Sequence, residues 1–402
     1  VRQTFAALAY PNYRLWFIGQ LASLVGTWMQ TTAQGFLIFQ LTHSPAYLGY
    51  VGFASGLPTW LFMLFGGVVA DRMSRRKLLV ITQASMMVLA FTLATLTFLK
   101  IVQPWHIILM AFLLGIANAF DAPARQSFVL EMVSREVLGN AIALNSAMFN
   151  TATAVGPAIA GLAYALLGPG WCFVINGVSF IAVITALLLM KLKPFERPAR
   201  LDNAFSQLRE GLNYVIHHPE IRTLIGMLGI ASMFGMGYAT LIPDWAVVVL
   251  HGDATTNGLL LSARGLGSLL AALIIASLGN FNYRGKLLPV GSFVFPIMLI
   301  IFSLTRSIPL SLFVMVLVGW GFMTYSNLTN NLVQHHVPDD LRGRVMGIYS
   351  LIFFGMIPIG ALLAGTLAEY LGSPTAVSIT GSVMLVAALV LWFFIPKIRR
   401  ME

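Results

Sequence analysis

Long, almost uninterrupted apolar runs recur along this chain, and the short gaps between them hold nearly all of its charge. Each run comes close to or exceeds the about 20 residues that a helix needs to cross a bilayer core. Hydrophobic residues make up 58% of the 402, and Asp, Glu, Lys and Arg together only 9%. A charged side chain at the bilayer centre costs several kcal/mol, so a chain that threads lipid repeatedly must use little charge. A soluble domain could not bury so large an apolar share. A β-barrel would alternate apolar and polar residues within segments of about ten, and these runs do not alternate. The expected fold class is an all-α membrane protein.

The net charge of +10 raises the question of nucleic acid. The basic residues sit in the gaps between apolar runs, a placement that follows membrane topology, so no nucleic-acid partner is expected. The single cysteine, Cys172, lies in an apolar run, which leaves no disulfide framework and no Cys-based metal site. There is no Gly-rich phosphate loop ending in Gly-Lys-Ser/Thr, no metalloprotease His-Glu pattern and no Gly-x-Ser-x-Gly elbow. No enzyme activity, cofactor or metal is expected. The first apolar run is too long for a removed signal peptide and lacks its small-residue cleavage site.

Twelve spanning helices are predicted, over 14–39, 46–70, 78–99, 105–123, 138–167, 171–192, 221–250, 255–278, 287–304, 308–332, 342–371 and 375–396. They group as six in residues 1–192 and six in 220–402, joined by a linker over 193–219. Of the 24 Lys and Arg, 21 fall on one side of these spans. Only Lys100 and Arg306 fall on the other, and Arg264 lies inside a span. Basic residues stay on the cytoplasmic side, so both termini are expected there. In the linker, the stretch from Lys191 to Arg200 is charged and carries Pro194 and Pro198. Beyond it Phe205, Leu208, Leu212, Val215 and Ile216 recur at helical spacing, opposite Gln207, Arg209, Glu210 and Asn213. This is an amphipathic helix, lying either on the membrane interface or in solvent.

The two groups of six repeat each other. Lys77-Leu78-Leu79 recurs as Lys286-Leu287-Leu288. A shift of 204 aligns Val133, Gly139, Ser146, Gly156, Ala160, Gly161 and Gly168 with Val337, Gly343, Ser350, Gly360, Ala364, Gly365 and Gly372. Six spans per unit in the same orientation make a parallel repeat.

Between the second and third spans stand Gly67, Asp71, Arg72, Arg75 and Arg76, followed by Lys77. This cluster resembles the loop signature of the major facilitator superfamily, with Ser74 where a second Gly is usual. Gly19 to Gln30, then Leu41-Thr42-His43-Ser44-Pro45 and Asp340 to Gly347, resemble the twelve-span branch of drug and siderophore exporters. The resemblance implies two six-helix bundles, with a substrate site between them near the midplane. It also implies export of an amphipathic small molecule by alternating access, coupled to an ion such as a proton. A bacterial inner-membrane location follows, and a monomer is expected. Two other readings remain open: a lipid or lysolipid translocator of the same fold, and a non-transporting sensor or scaffold. The resemblance makes the Asp71 cluster a cytoplasmic gate. Gly156-Pro157 with Gly161 resembles the core of an antiporter signature, implying a hinge in the fifth span. That span's upstream glycines are absent, Ala160 replaces a Gly, and the fourth span lacks the Arg that many drug/proton antiporters carry.

Gln20, Ser23, Thr27, Gln30 and Gln34 follow one another by three or four residues and share one face of the first span. Lipid cannot satisfy such a face, so it must look inward. It either lines a substrate cavity or bonds neighbouring helices together. Asn327, with Thr324, Asn330, Asn331 and Gln334, is a further cavity candidate on the tenth span. The pairs His217-His218 and His335-His336 read as solvated. Arg264 lies roughly 13 Å into the eighth span at 1.5 Å per residue, near the middle of a core about 30 Å thick. Asp244 on the preceding span falls at a similar depth. The pair leaves three options: an anionic or polar substrate group at Arg264, a coupling carboxylate at Asp244, or a static ion pair.

Overall fold

The computed structural model describes residues 5–192, 204–277 and 284–394, with the side chains of 204, 205, 207, 276, 284–286 and 394 excepted. The predicted charged stretch 193–200, the parts assigned to Phe205 and Gln207 in the amphipathic helix, and the Lys286 copy of Lys77 lie outside what is described. Among the described residues every regular element is helical. The long helices are α1 (Pro11–Thr42), α2 (Pro45–Arg72), α3 (Arg75–Phe98), α4 (Pro104–Phe128), α5 (Leu138–Leu167) and α6 (Pro169–Leu189). They continue with α7 (Pro219–Val249), α8 (Ala254–Ser277), α9 (Arg284–Leu304), α10 (Ile308–His336), α11 (Asp339–Leu371) and α12 (Ser373–Phe394). A linker helix, Ala204–His217, precedes α7.

Eleven of these helices are long and apolar enough to cross a membrane. The other, α1, is 32 residues long. Its five-residue polar face lowers its hydropathy.

Local chemistry sets the ends. Pro11, Pro45, Pro104, Pro169 and Pro219 open α1, α2, α4, α6 and α7, where the missing N–H costs nothing. His43 after α1 and His251 after α7 both turn left-handed, with φ of 51° and 52°. Gly168 after α5 and Gly372 after α11 do the same at 90° and 80°. These exits stand at matching positions six helices apart.

The straight helix expected over 221–250 is not what forms. Regular α-helix stops at Ile230, a π-helical turn runs over Ala231–Gly235 and a 3₁₀ turn over Gly237–Leu241. A second π turn, Trp245–Val249, follows Pro243. Gly235 and Gly237 permit the backbone change, and Pro243 cannot donate a helix bond. Trp245 is fully buried and stacks on Phe302 at 4.3 Å.

Within the first six helices, α1 packs on α5 and α6, α2 on α4, and α3 on α4 and α6. Among the last six, α10 packs on α8 and α9, and α9 on α12. The largest buried apolar cluster draws only on residues from Val215 to Leu391. A second draws only on Ala7 to Met190. Outward-facing Ile81, Val88, Phe313 and Phe393 are exposed, as side chains turned to lipid would be.

The repeated glycines make equivalent contacts. A Cβ on Gly156 would lie 2.6 Å from the Trp28 Cβ on α1, and one on Gly360 would strike the Met233 carbonyl on α7. A Cβ on Gly161 would lie 2.7 Å from the Ala254 oxygen on α8, and one on Gly365 would lie 2.7 Å from the Gly49 Cα on α2. The linker helix docks on the first turns of α11 through Gly211 against Arg344, and through an ion pair from Arg344 to Glu210 at 2.6 Å. Leu212 and Ile216 stay exposed.

Candidate functional site

The close contacts between the first six helices and the last six gather at one end. Along α2, Gly49 and Gly52 abut Ala361 on α11, Gly56 abuts Pro358, and Trp60 lies against Gly355. Along α5, Ala154, Pro157 and Gly161 abut Gly265, Gly258 and Ala254 of α8. Gly35 on α1 meets Pro243 on α7. Toward the other end the facing helices separate. Leu61, Phe65, Asp71 and Arg72 are exposed, and a Cβ on Gly67, Gly139, Gly343 or Gly347 would meet nothing within 4 Å. The molecule therefore has a closed end, where α1 turns into α2, and an open end, where α2 turns into α3.

Two features mark the closed end. Glu369 near the end of α11 accepts a hydrogen bond from Ser44 Oγ at 2.6 Å and one from the Ala46 N–H at 3.1 Å. Beside it lies a pocket of about 360 Å³ lined by Asp244, His251, Arg306 and Ser373, among others.

At the open end the predicted gate residues divide. Asp71 and Arg72 are exposed and make no hydrogen bond or ion pair with the described residues. Arg75 pairs with Glu131 at 2.7 Å. Arg76 donates to the carbonyls of Leu188 and Met190 at 2.6 and 3.3 Å, closing the end of α6. Gly66, not Gly67, is the glycine of close approach, since a Cβ there would strike the Ala119 carbonyl on α4.

The polar face of α1 requires a correction as a cavity lining. Gln20, Ser23, Gln30 and Gln34 are each at most 4% exposed. Ser23 donates to Gln83 on α3 at 3.4 Å, and Gln34 donates to the Ile107 carbonyl on α4 at 3.1 Å. Gln30 accepts from Asn176 on α6 at 2.7 Å. The half-buried Thr27 bonds back to the Ser23 carbonyl at 2.8 Å. Ser23, Gln30 and Gln34 thus join α1 to its neighbours, whereas the buried Gln20 Oε1 accepts no hydrogen bond from the described residues. The opposite face of α1, with Ile18, Leu21, Ala22, Val25 and Trp28, carries the exposure and is apolar.

Arg264 and Asp244 do not pair, a second correction. Among the described residues no carboxylate forms an ion pair with Arg264. Asp244 is 5% exposed and faces the closed-end pocket beside Ser373 and Glu369. Arg264 is half-buried, and its guanidinium lies close to the Tyr238 hydroxyl. It sits on the face of α8 turned from the exposed Leu266, Leu270 and Leu273.

The expected hinge residues serve two contacts. Gly156 seats α5 against α1, whereas Pro157 and Gly161 seat it against α8. The helix runs unbroken through Pro157. On α10 Asn327 is half-buried, and its carbonyl accepts from Asn331 at 3.0 Å. Phe322 nearby is half-buried and stacks toward Phe353 of α11 at 6.4 Å.

Two groups escaped sequence reasoning as site residues. Asp121 on α4 is 1% exposed and accepts from Thr82 and Gln83, each at 2.8 Å, with Arg125 at 3.6 Å. Its signal is an acid inside an apolar run. Glu369 carried a similar signal, a lone acid near a span end, but its partner is 325 residues away.

The transmembrane secretion effector family of the major facilitator superfamily matches residues 2–402. The staphyloferrin A transporter of Staphylococcus aureus is 25% identical over 96% of this chain and 97% of its own length. The multidrug efflux pump Tap of Mycolicibacterium fortuitum is 25% identical over 95% of each chain. The enterobactin exporter EntS of Citrobacter koseri is 25% identical over 97% of this chain and 93% of its own. Among solved structures, the fold is shared with a bacterial homologue of the human lysosomal transporter Spinster. Its TM-score is 0.76 at 14% identity, covering 97% of both chains. The nucleoside transporter NupG follows with a TM-score of 0.73 at 14% identity, over 95% of this chain and 98% of its own. The chain is a multi-pass membrane protein with no enzyme activity, and it belongs to the transmembrane secretion effector family of major facilitator transporters.

Proposed function

We propose that this protein exports amphipathic small molecules, drug-like or siderophore-like, across the bacterial inner membrane by alternating access. The observation that carries this reading is the one-ended contact between α1–α6 and α7–α12, closed at Gly49 and Gly365 and open at Gly67 and Gly343. Two six-helix bundles, in residues 1–192 and 220–402, rock about this contact while the 193–219 linker joins them. Separate buried clusters on either side of the linker support that division. The open end carries Arg72, Arg75, Arg76 and Lys77, and the closed end little more than Lys100 and Arg306. By the positive-inside rule the open end is cytoplasmic, and so are both termini. In the alternate state the open end closes, and Asp71 approaches the first turns of α11. An ion gradient drives the cycle.

The test is efflux from vesicles, over chemically distinct compounds, with and without an imposed proton gradient. Gradient-dependent movement of at least one amphipathic compound is expected. A chain that moves none of them, while folded and inserted, is not an exporter of this class.

A further inference from the structure

We infer that Arg264 forms an anion-binding subsite in the cleft, so that the transported molecule is an amphipathic anion. This rests on the exporter reading and names its substrate class.

Arg264 stands alone in the spans: the other basic residues lie in the gaps or at helix ends. It sits ten residues into α8, counted from Ala254, and so about 15 Å below the closed end at 1.5 Å per residue. Gly265 on one side packs on Thr153 and Ala154 of α5, and Gly267 on the other packs on Val316 of α10. A Cβ on Gly319 of α10 would strike the Arg264 carbonyl. The backbone is thus held on two sides, while the side chain stays half-buried.

The charge balance decides the role. A guanidinium has five N–H donors and no acceptor, and it keeps its charge. Tyr238 is fully buried in the irregular stretch of α7, with its hydroxyl close to the guanidinium. No described carboxylate neutralises the charge: Asp244 turns to the closed-end pocket, and Asp121 is held by Thr82 and Gln83 on α3. While the cleft is open, water hydrates the free donors. When the open end closes, that water must leave or the charge be countered. A bound anion supplies the counter-charge, and the forked donors suit a carboxylate or another paired-oxygen group. The half-buried aromatic rings of Phe322 and Phe353 in the same set of helices suit an apolar body.

The probes are tetraphenylborate and tetraphenylphosphonium, hydrophobic ions of nearly the same shape and opposite charge. Binding is measured on the full-length protein in lipid nanodiscs, with empty nanodiscs subtracted. Tetraphenylborate is expected to bind at least about tenfold more tightly. Arg264→Gln should abolish that preference, and Arg264→Lys should retain part of it. Unfolding temperature is followed for each variant. If Arg264→Gln does not fold, the preference of the unaltered protein and the Lys variant still decide the matter. Equal binding of the two probes, tighter binding of the cation, binding of neither, or anion binding untouched by Arg264→Gln overturns the inference. Continued efflux of neutral or cationic compounds would then leave the exporter reading standing. Charge-selective binding without any efflux would overturn the exporter reading alone.

Discussion

Glu369 grips Ser44 across the two sets of helices, with 2.6 Å between Oε2 and Oγ, and takes the Ala46 N–H at 3.1 Å. Ala46 is in the first turn of α2, where backbone donors have no helical partner. A carboxylate there also meets the positive end of the helix dipole. The closed end is therefore fastened by a polar contact on top of its glycine packing.

Glu369→Gln keeps the shape and removes the charge. Glu369 is exposed, so the loss is about 1 kcal/mol or less. That is enough to shift a two-state balance by about fivefold. Access to the cleft from the closed end should rise. A cysteine placed at Thr240, which faces Gly52 in the closed contact, reports this through an impermeant thiol reagent. The native Cys172 is fully buried and adds little background. Unchanged labelling would show that the glycine contacts alone keep this end shut.

Asp71→Asn should separate stability from transport. Asp71 is exposed at the open end without a described partner, so unfolding should move by no more than about 0.5 kcal/mol. If the carboxylate works only when the open end closes, vesicle efflux should fall by about fivefold, the worth of about 1 kcal/mol at a helix start. Wild-type efflux from a correctly inserted variant would remove Asp71 from the cycle.

How legible each element was depends on whether its physics is local. The apolar runs located the helices because lipid imposes length and hydropathy on each span independently. Helical spacing put Gln20, Ser23, Gln30 and Gln34 on one face, but spacing cannot say whether a cavity or another helix lies opposite. Here Asn176 lies opposite Gln30, and Gln83 opposite Ser23. The Arg264 and Asp244 pairing failed for a definable reason. It assumed a regular rise and phase along α7, whereas π and 3₁₀ turns between Ala231 and Val249 alter both. Glu369 and Ser44 were invisible as a pair because nothing local joins α11 to the start of α2.

Asp121→Ala should be the most destabilising of the substitutions considered. It strands Thr82, Gln83 and Arg125 around a site that is 1% exposed. Removing one member of a buried charged network costs about 3–5 kcal/mol. Arg125 keeps a quarter of its side-chain exposure, so the lower part of that range applies. Asp121→Asn retains an acceptor for Thr82 and should cost less. Thermal unfolding in detergent ranks the two. Equal melting of both variants with the parent would mean that the network contributes nothing to stability.

Gly156 and Gly161 are five residues apart on α5, yet they should respond differently to added bulk. Gly156 seats α5 on α1 inside the first set of helices, with Trp28 Cβ 2.6 Å from its missing Cβ. That contact exists in every state if the first six helices move as one body. Gly156→Leu should therefore overpack a permanent interface, at about 1–3 kcal/mol, and lower the melting temperature. Gly161 instead faces Ala254 and Thr255 across the closed end. Gly161→Leu should cost little in the state where that end is open and should disfavour the state described here. Its signature is increased labelling at a Thr240 cysteine with a nearly unchanged melting temperature. If Gly161→Leu melts early without changing accessibility, the α5–α8 contact is permanent, and alternating access must use another surface.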